Sequence, residues 1–182
     1  MRHHLIQRAA LTAALLAGAA ALAPGHAAVN ANDQQFINEA AVGGQFEVEA
    51  GKLAAKSTNP KVEAFGQRMV KDHSAANAEL SRLVKAQGGT VPQGLDAEHT
   101  QLRDHLASLK GDEFDKEYIQ LMVKHHDDDT KAFSDEERHT TDPKLKQFVE
   151  QTLTIVREQD QMARQIAGDM GLKLNLTKNN NG

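Results

Sequence analysis

The sequence predicts an all-α protein: a four-helix bundle of two antiparallel hairpins joined by a long crossover that contains a short helix. Three observations predict it. Apolar residues recur at helical spacing through four segments of about 25–28 residues, each roughly 40 Å long. Two of the breaks between them are an Asn or Asp followed by proline, Asn59-Pro60 and Asp142-Pro143, the pairing of an N-cap with a first helical residue. One tyrosine, no tryptophan and four prolines in 182 residues offer little to a β-sandwich.

The elements follow in order. Residues 1–27 read as a secretory signal peptide: Arg2, His3, His4 and Arg8 make a positive start, the run from Ala9 to Leu22 is apolar, and small residues follow Pro24. Cleavage is expected near Ala27 or Ala28, which places the mature protein in the periplasm or outside the cell. The apolar run is short for a transmembrane helix, and no later segment approaches one. The chain has no cysteine, so a lipidated N-terminal cysteine and disulfides are both excluded. The bundle domain is expected over residues 28–171. Within it, α1 spans 33–57, capped by Asn32 or Asp33, and α2 spans 60–87, stopped by Gly88-Gly89. A short α3 covers 96–110, with Leu95, Leu102, Leu106 and Leu109 on one face. Gly111 breaks it and Asp112 caps α4, which runs to 139, and α5 spans 143–170. Residues 172–182, rich in Asn and Lys, are expected to fray. Short turns within each pair and one long link between pairs give ferritin-like connectivity.

A net charge of −4 with interspersed signs points to neither nucleic acid nor stable membrane insertion. No motif names a partner or an oligomeric state. Phosphate loops, nucleophile elbows and cysteine nucleophiles are absent, and the residues read as non-enzymatic.

Polar residues in the apolar stripes carry the functional information. Glu47 sits in the stripe of α1, His73 in that of α2, and Gln159 in that of α5, while His125, His126 and Asp129 interrupt α4. All lie near mid-helix, so an antiparallel bundle brings them to one level. His126 and Asp129, three apart, share a helix face, as do His125 and Asp129, four apart. An internal echo reinforces the pattern. Met69-Val70-Lys71-Asp72-His73 returns as Met122-Val123-Lys124-His125-His126 at an offset of 53 residues, and Asn59-Pro60-Lys61-Val62 has its counterpart in Asp142-Pro143-Lys144-Leu145.

Two readings compete. In the leading one the polar layer is structural, fixing helix register inside an exported, non-enzymatic and stress-related bundle. In the other, Glu47, His73, His126 and Asp129, with His125 as a secondary member, bind a transition metal such as copper or zinc. Met69 and Met122 would add thioethers that favour copper(I). A ferritin-like oxidoreductase ranks third. A di-iron centre needs Glu-x-x-His on two helices, and here Val70 and Val123 stand three before His73 and His126. His99, His105 and His139 read as surface or crossover histidines.

Gly43-Gly44 with Glu47-Val48, Lys52-Leu53-Ala54, Asn59-Pro60 with Phe65, and Met69 to His73 resemble the bacterial domain-of-unknown-function family 4142. So do Gly111 with Phe114-Asp115, Tyr118, Met122, His126 and the run from Asp142 to Leu145. The resemblance covers residues 33–167. It implies an exported, ferritin-like helical fold and no established activity. Many members carry a histidine where Gln159 stands here and a proline near Thr154. The Met-Val-Lys-His-His run is also similar, more weakly, to small exported bundles that handle copper.

Overall fold

A computed structural model describes residues 29–174, so the expected signal peptide and most of the expected tail fall outside it. Five helices make up the described residues, with no strand: α1 Ala31–Ala54, α2 Pro60–Ala86, α3 Ala97–Ser108, α4 Gly111–His139 and α5 Pro143–Asp169. None is long and apolar enough to cross a membrane.

Caps explain the boundaries, and they correct three expectations. The α1 cap is Asn30, not Asn32 or Asp33. Its side-chain oxygen accepts from the backbone N–H of Asn32 and of Asp33 at 3.0 and 2.9 Å, which frees Asp33 to turn inward. α1 also stops at Ala54, short of residue 57, because Ser57 belongs to the turn. Its hydroxyl accepts from the Asn59 N–H at 3.0 Å and donates to Asp115 at 2.6 Å. α4 begins at Gly111, whose φ of 56° bends the chain out of α3, and Lys110 at the cap makes no side-chain bond. Asp112 therefore lies inside the first turn, where its charge suits the helix dipole. Asn59 and Asp142 cap α2 and α5 as the sequence predicts.

Two apolar clusters fill the bundle. One takes Phe46 and Ala50 from α1, Phe65 and Met69 from α2, Tyr118 and Met122 from α4, and Ala163 and Ile166 from α5. The other takes Phe36 and Ile37 from α1, Leu80 and Leu83 from α2, Phe133 from α4, and Leu145 and Phe148 from α5. α2 thus ends beside the second cluster and α4 starts beside the first, so the crossover travels the bundle's length. Along it, α3 buries Leu106 completely and lays Leu102 against the first cluster, where Leu95 and Leu109, just outside the helix, also pack. Leu172 and Leu174, assigned by the sequence to the tail, also pack there.

α1 and α2 approach closely because their facing positions are small. A Cβ on Gly66 would lie 2.7 Å from that of Ala54, and one on Gly44 would lie 2.3 Å from Asn77 Oδ1. Each glycine in a helix interior costs about 1 kcal/mol relative to alanine. Here the cost brings two helices near enough for short side chains to meet. Gly44 precedes Glu47 by three residues and Gly51 follows it by four, so both share its face.

Candidate metal centre

On every main helix one polar residue falls between the two apolar clusters: Glu47, His73, His126 and Gln159, all buried. Helical period and the antiparallel pairing bring them to one level. The resulting layer is anchored from outside. Arg68, one turn before Asp72, donates to it at 3.1 Å, and Asp72 accepts from Gln159 Nε2 at 3.0 Å. Gln159 Oε1 then faces His73 Nε2 at 2.9 Å, and His73 Nδ1 lies 2.9 Å from Glu47 Oε2.

This order of contacts fixes the proton positions. Asp72 only accepts, so Gln159 must turn its amide N–H toward it and its carbonyl toward His73. His73 Nε2 therefore carries a proton, and Nδ1 carries another toward the Glu47 carboxylate. His73 is an imidazolium ion-paired with Glu47. Burial alone would lower its pKa, but the charge and hydrogen bond of Glu47, helped by Gln159, hold it at about 9. Burial would likewise raise the Glu47 carboxyl, yet the charge and hydrogen bond of His73 bring it to about 2.

His126 is different. Its ring is fully buried, and neither nitrogen has a side-chain hydrogen-bond partner among the described residues; only the Met122 carbonyl, one turn earlier, acts on it, and weakly. Burial pushes its pKa down, which keeps it neutral. Glu47 Oε1, also unpartnered, lies 3.7 Å from His126 Nε2. That is too long for a hydrogen bond. It is close to the separation of about 3.4 Å expected between two ligand atoms that share one tetrahedral cation at about 2.1 Å. The Tyr118 hydroxyl is a third buried orphan, its pKa raised by burial and the Glu47 charge.

Ligand atoms of Glu47, His73 and His126 all lie within 4.8 Å of one another. Two imidazoles and a carboxylate suit zinc, copper or iron(II). Glu47 Oε1 and His126 are free to ligate, whereas His73 must first give up a proton and one hydrogen bond. The other two candidates lie outside that triad. Asp129 shares with Glu47 and His73 the wall of a cavity of about 20 Å³, room for one water. Burial and the Glu47 charge push its carboxyl well above the usual range. His125 is half-buried and stacks on Phe46 with ring centroids 4.9 Å apart. Met69 and Met122 are fully buried in the first apolar cluster.

A profile of domain-of-unknown-function family DUF4142 matches residues 18–166. The chain belongs to this family. Three solved structures share the fold of this DUF4142 protein. A DUF305 fragment from Deinococcus radiodurans superposes with a TM-score of 0.68 at 11% identity, covering 77% of this chain and 97% of that one. CopM in its Ag-bound form gives 0.63 at 18% identity, and in its Cu(II)-bound form 0.65 at 19%. Each CopM comparison covers 75% of this chain and 95% of that one. At these identities the likeness is one of fold. No curated protein matches.

Several functional features of the DUF4142 chain were not read from its sequence. Asp72 orients Gln159, and its only sequence signal is Arg68 one turn earlier. Tyr118 counted as apolar core, although a buried hydroxyl needs a partner. His99, expected at the surface or in the crossover, lies in the crossover helix α3 and packs on Phe46 at 5.3 Å and on His125 at 5.8 Å, contacts that its sequence position did not show. Asp33 and Glu136 form a second buried carboxyl pair at the far end. Burial and the Asp33 charge raise Glu136 to about 7, and Thr140 donates to Asp33 at 3.1 Å.

Proposed function

We propose that this protein is an exported, non-enzymatic bundle that binds one transition-metal cation in its core, with Glu47 and His126 as ligands and His73 joining once deprotonated. One observation carries the reading: a wholly buried imidazole with no side-chain partner faces a buried carboxylate oxygen at 3.7 Å, too far for a hydrogen bond. A layer built only to fix register would leave no such atoms, because each buried orphan costs about 1–3 kcal/mol. With a single carboxylate in the triad, the donor set suits one ion and disfavours a di-iron centre. The bundles solved with silver and with copper(II) make those ions, together with zinc, the first to test.

The structural reading keeps one observation of its own, the saturated His73. Thermal melts of the mature protein decide between the two. Copper(II) or zinc at 100 times its Kd for the core is expected to stabilise the wild type by about 2.7 kcal/mol more than it stabilises His126→Leu. If the wild type does not respond, or the variant responds equally, the core holds no metal and the layer is structural. Mass spectrometry of a periplasmic fraction tests export, with an expected start at Ala28 or Val29; an intact N-terminus on cytoplasmic protein overturns it.

A further inference from the structure

A groove of about 580 Å³ opens between α1, α3 and α4. Ala40, Asp129 and Phe133 line both this groove and the small cavity bordering Glu47 and His73. Groove and core therefore share one wall, and Asp129 is its one carboxyl member. Two histidines stand in the groove, His99 from α3 and His125 from α4. Their ring centroids are 5.8 Å apart, against 6.2 Å for His73 and His126 in the core. Both pack on Phe46, the residue before Glu47. His99 Nδ1 lies 2.7 Å from Asp96 Oδ1. A carboxylate on one ring nitrogen holds the proton there, leaving Nε2 as a more basic donor atom, the support that ligating histidines usually have.

Charge favours the same occupant. Glu39, Asp96, Glu98 and Asp128 line the groove against one lysine, Lys124. An acid-lined cleft concentrates cations and speeds their arrival. No methionine lines it, so its donors suit a divalent cation such as copper(II) or zinc rather than copper(I).

We propose that His99 and His125 form a second, outer site for a divalent transition-metal cation, from which the cation passes Asp129 into the core. The outer site stands on its own geometry, while its role as a way in rests on the core reading given above.

Cobalt(II) tests both parts with the mature chain. In Glu47→Gln/His126→Leu, which removes the core ligands, the ion is expected to broaden the imidazole NMR signals of His99 and His125. Adding His99→Gln alone is expected to spare the His125 signal, and His125→Gln alone the His99 signal. Unbroadened signals with both histidines in place overturn the outer site, whether or not the wild type binds metal in its core. For the route, stopped-flow absorbance follows core loading. His99→Gln/His125→Gln with Glu47 and His126 intact is expected to load to the same final amplitude about tenfold more slowly. An unchanged rate overturns the route. If wild-type His99 and His125 respond while His126 does not, the core reading fails and the outer site stands.

Discussion

α2 and α4 carry the same run of residues 53 positions apart, and the structure treats its last member in opposite ways. His73 has a side-chain partner on each ring nitrogen, while His126, equally buried, has no side-chain partner. The residue one position earlier differs. In α2 it is Asp72, which turns Gln159 toward His73 and so completes a chain of contacts from Arg68 to Glu47. In α4 it is His125, which turns to the groove and supplies no such anchor. A buried polar group with every bond made stabilises the register of four helices. The same group left unpaired is a stability loss that binding can recover.

The largest expected effect separates the two histidines directly. His73→Ala leaves the Glu47 carboxylate buried without its cation and is expected to cost about 3–5 kcal/mol in urea unfolding. His126→Leu keeps volume and removes two orphaned nitrogens. Without metal it is expected to leave stability unchanged or raise it by up to about 2 kcal/mol. Equal losses in the two variants would show that His126 has a partner and that the contrast is false.

Next comes pH, where structural and metal roles have opposite signs. His73 has a folded pKa of about 9 against an ordinary 6.5, so its stabilisation is complete below 6.5 and is lost as pH rises through 9. Glu47 has a folded value of about 2 against 4.5, so its share is present above 4.5 and lost as pH falls through 2. The His73–Glu47 pair should therefore contribute most between pH 4.5 and 6.5. Glu136, held at about 7, also loses stabilisation as pH rises from 4.5, so the melts belong in a Glu136→Gln background. Metal must displace the His73 proton, and the melting-temperature gain from zinc should grow over the span in which metal-free stability falls. A gain that shrinks as pH rises from 6.5 to 9 removes His73 from the ligand set.

The smallest effect sharpens the anchor. Asp72→Asn can donate to Gln159, so the amide is free to turn over and present its N–H to His73. The expected loss is about 1 kcal/mol, with the His73 pKa, followed by NMR, moving down toward 6.5. An unmoved pKa shows that Asp72 does not set the His73 proton.

Much of this was legible in the sequence, for reasons particular to each residue. Asn59-Pro60 and Asp142-Pro143 work within a few residues of chain, so their caps appear where expected. Asp112 misled because Gly111 enters the helix itself, with a left-handed φ that no spacing rule shows. Glu47, His73, His126 and Gln159 were visible as polar interruptions of apolar stripes, and the bundle gathers them. Asp129 shares their helical face and meets the Glu47 carboxylate, yet burial and that charge raise its pKa well above the usual carboxylate range, a cost that a position on the wheel does not show.

By itself the sequence determined the helices, their pairing into two hairpins, and the four polar residues at mid-height. Period, caps and turn length are local properties, written in neighbouring residues. Tertiary structure alone decided which histidine is saturated. That outcome depends on a chain of contacts through Arg68, Asp72, Gln159 and Glu47, drawn from three helices. The two echoed histidines have the same local sequence signal, and only the partner helices pair one of them and leave the other open to a ligand.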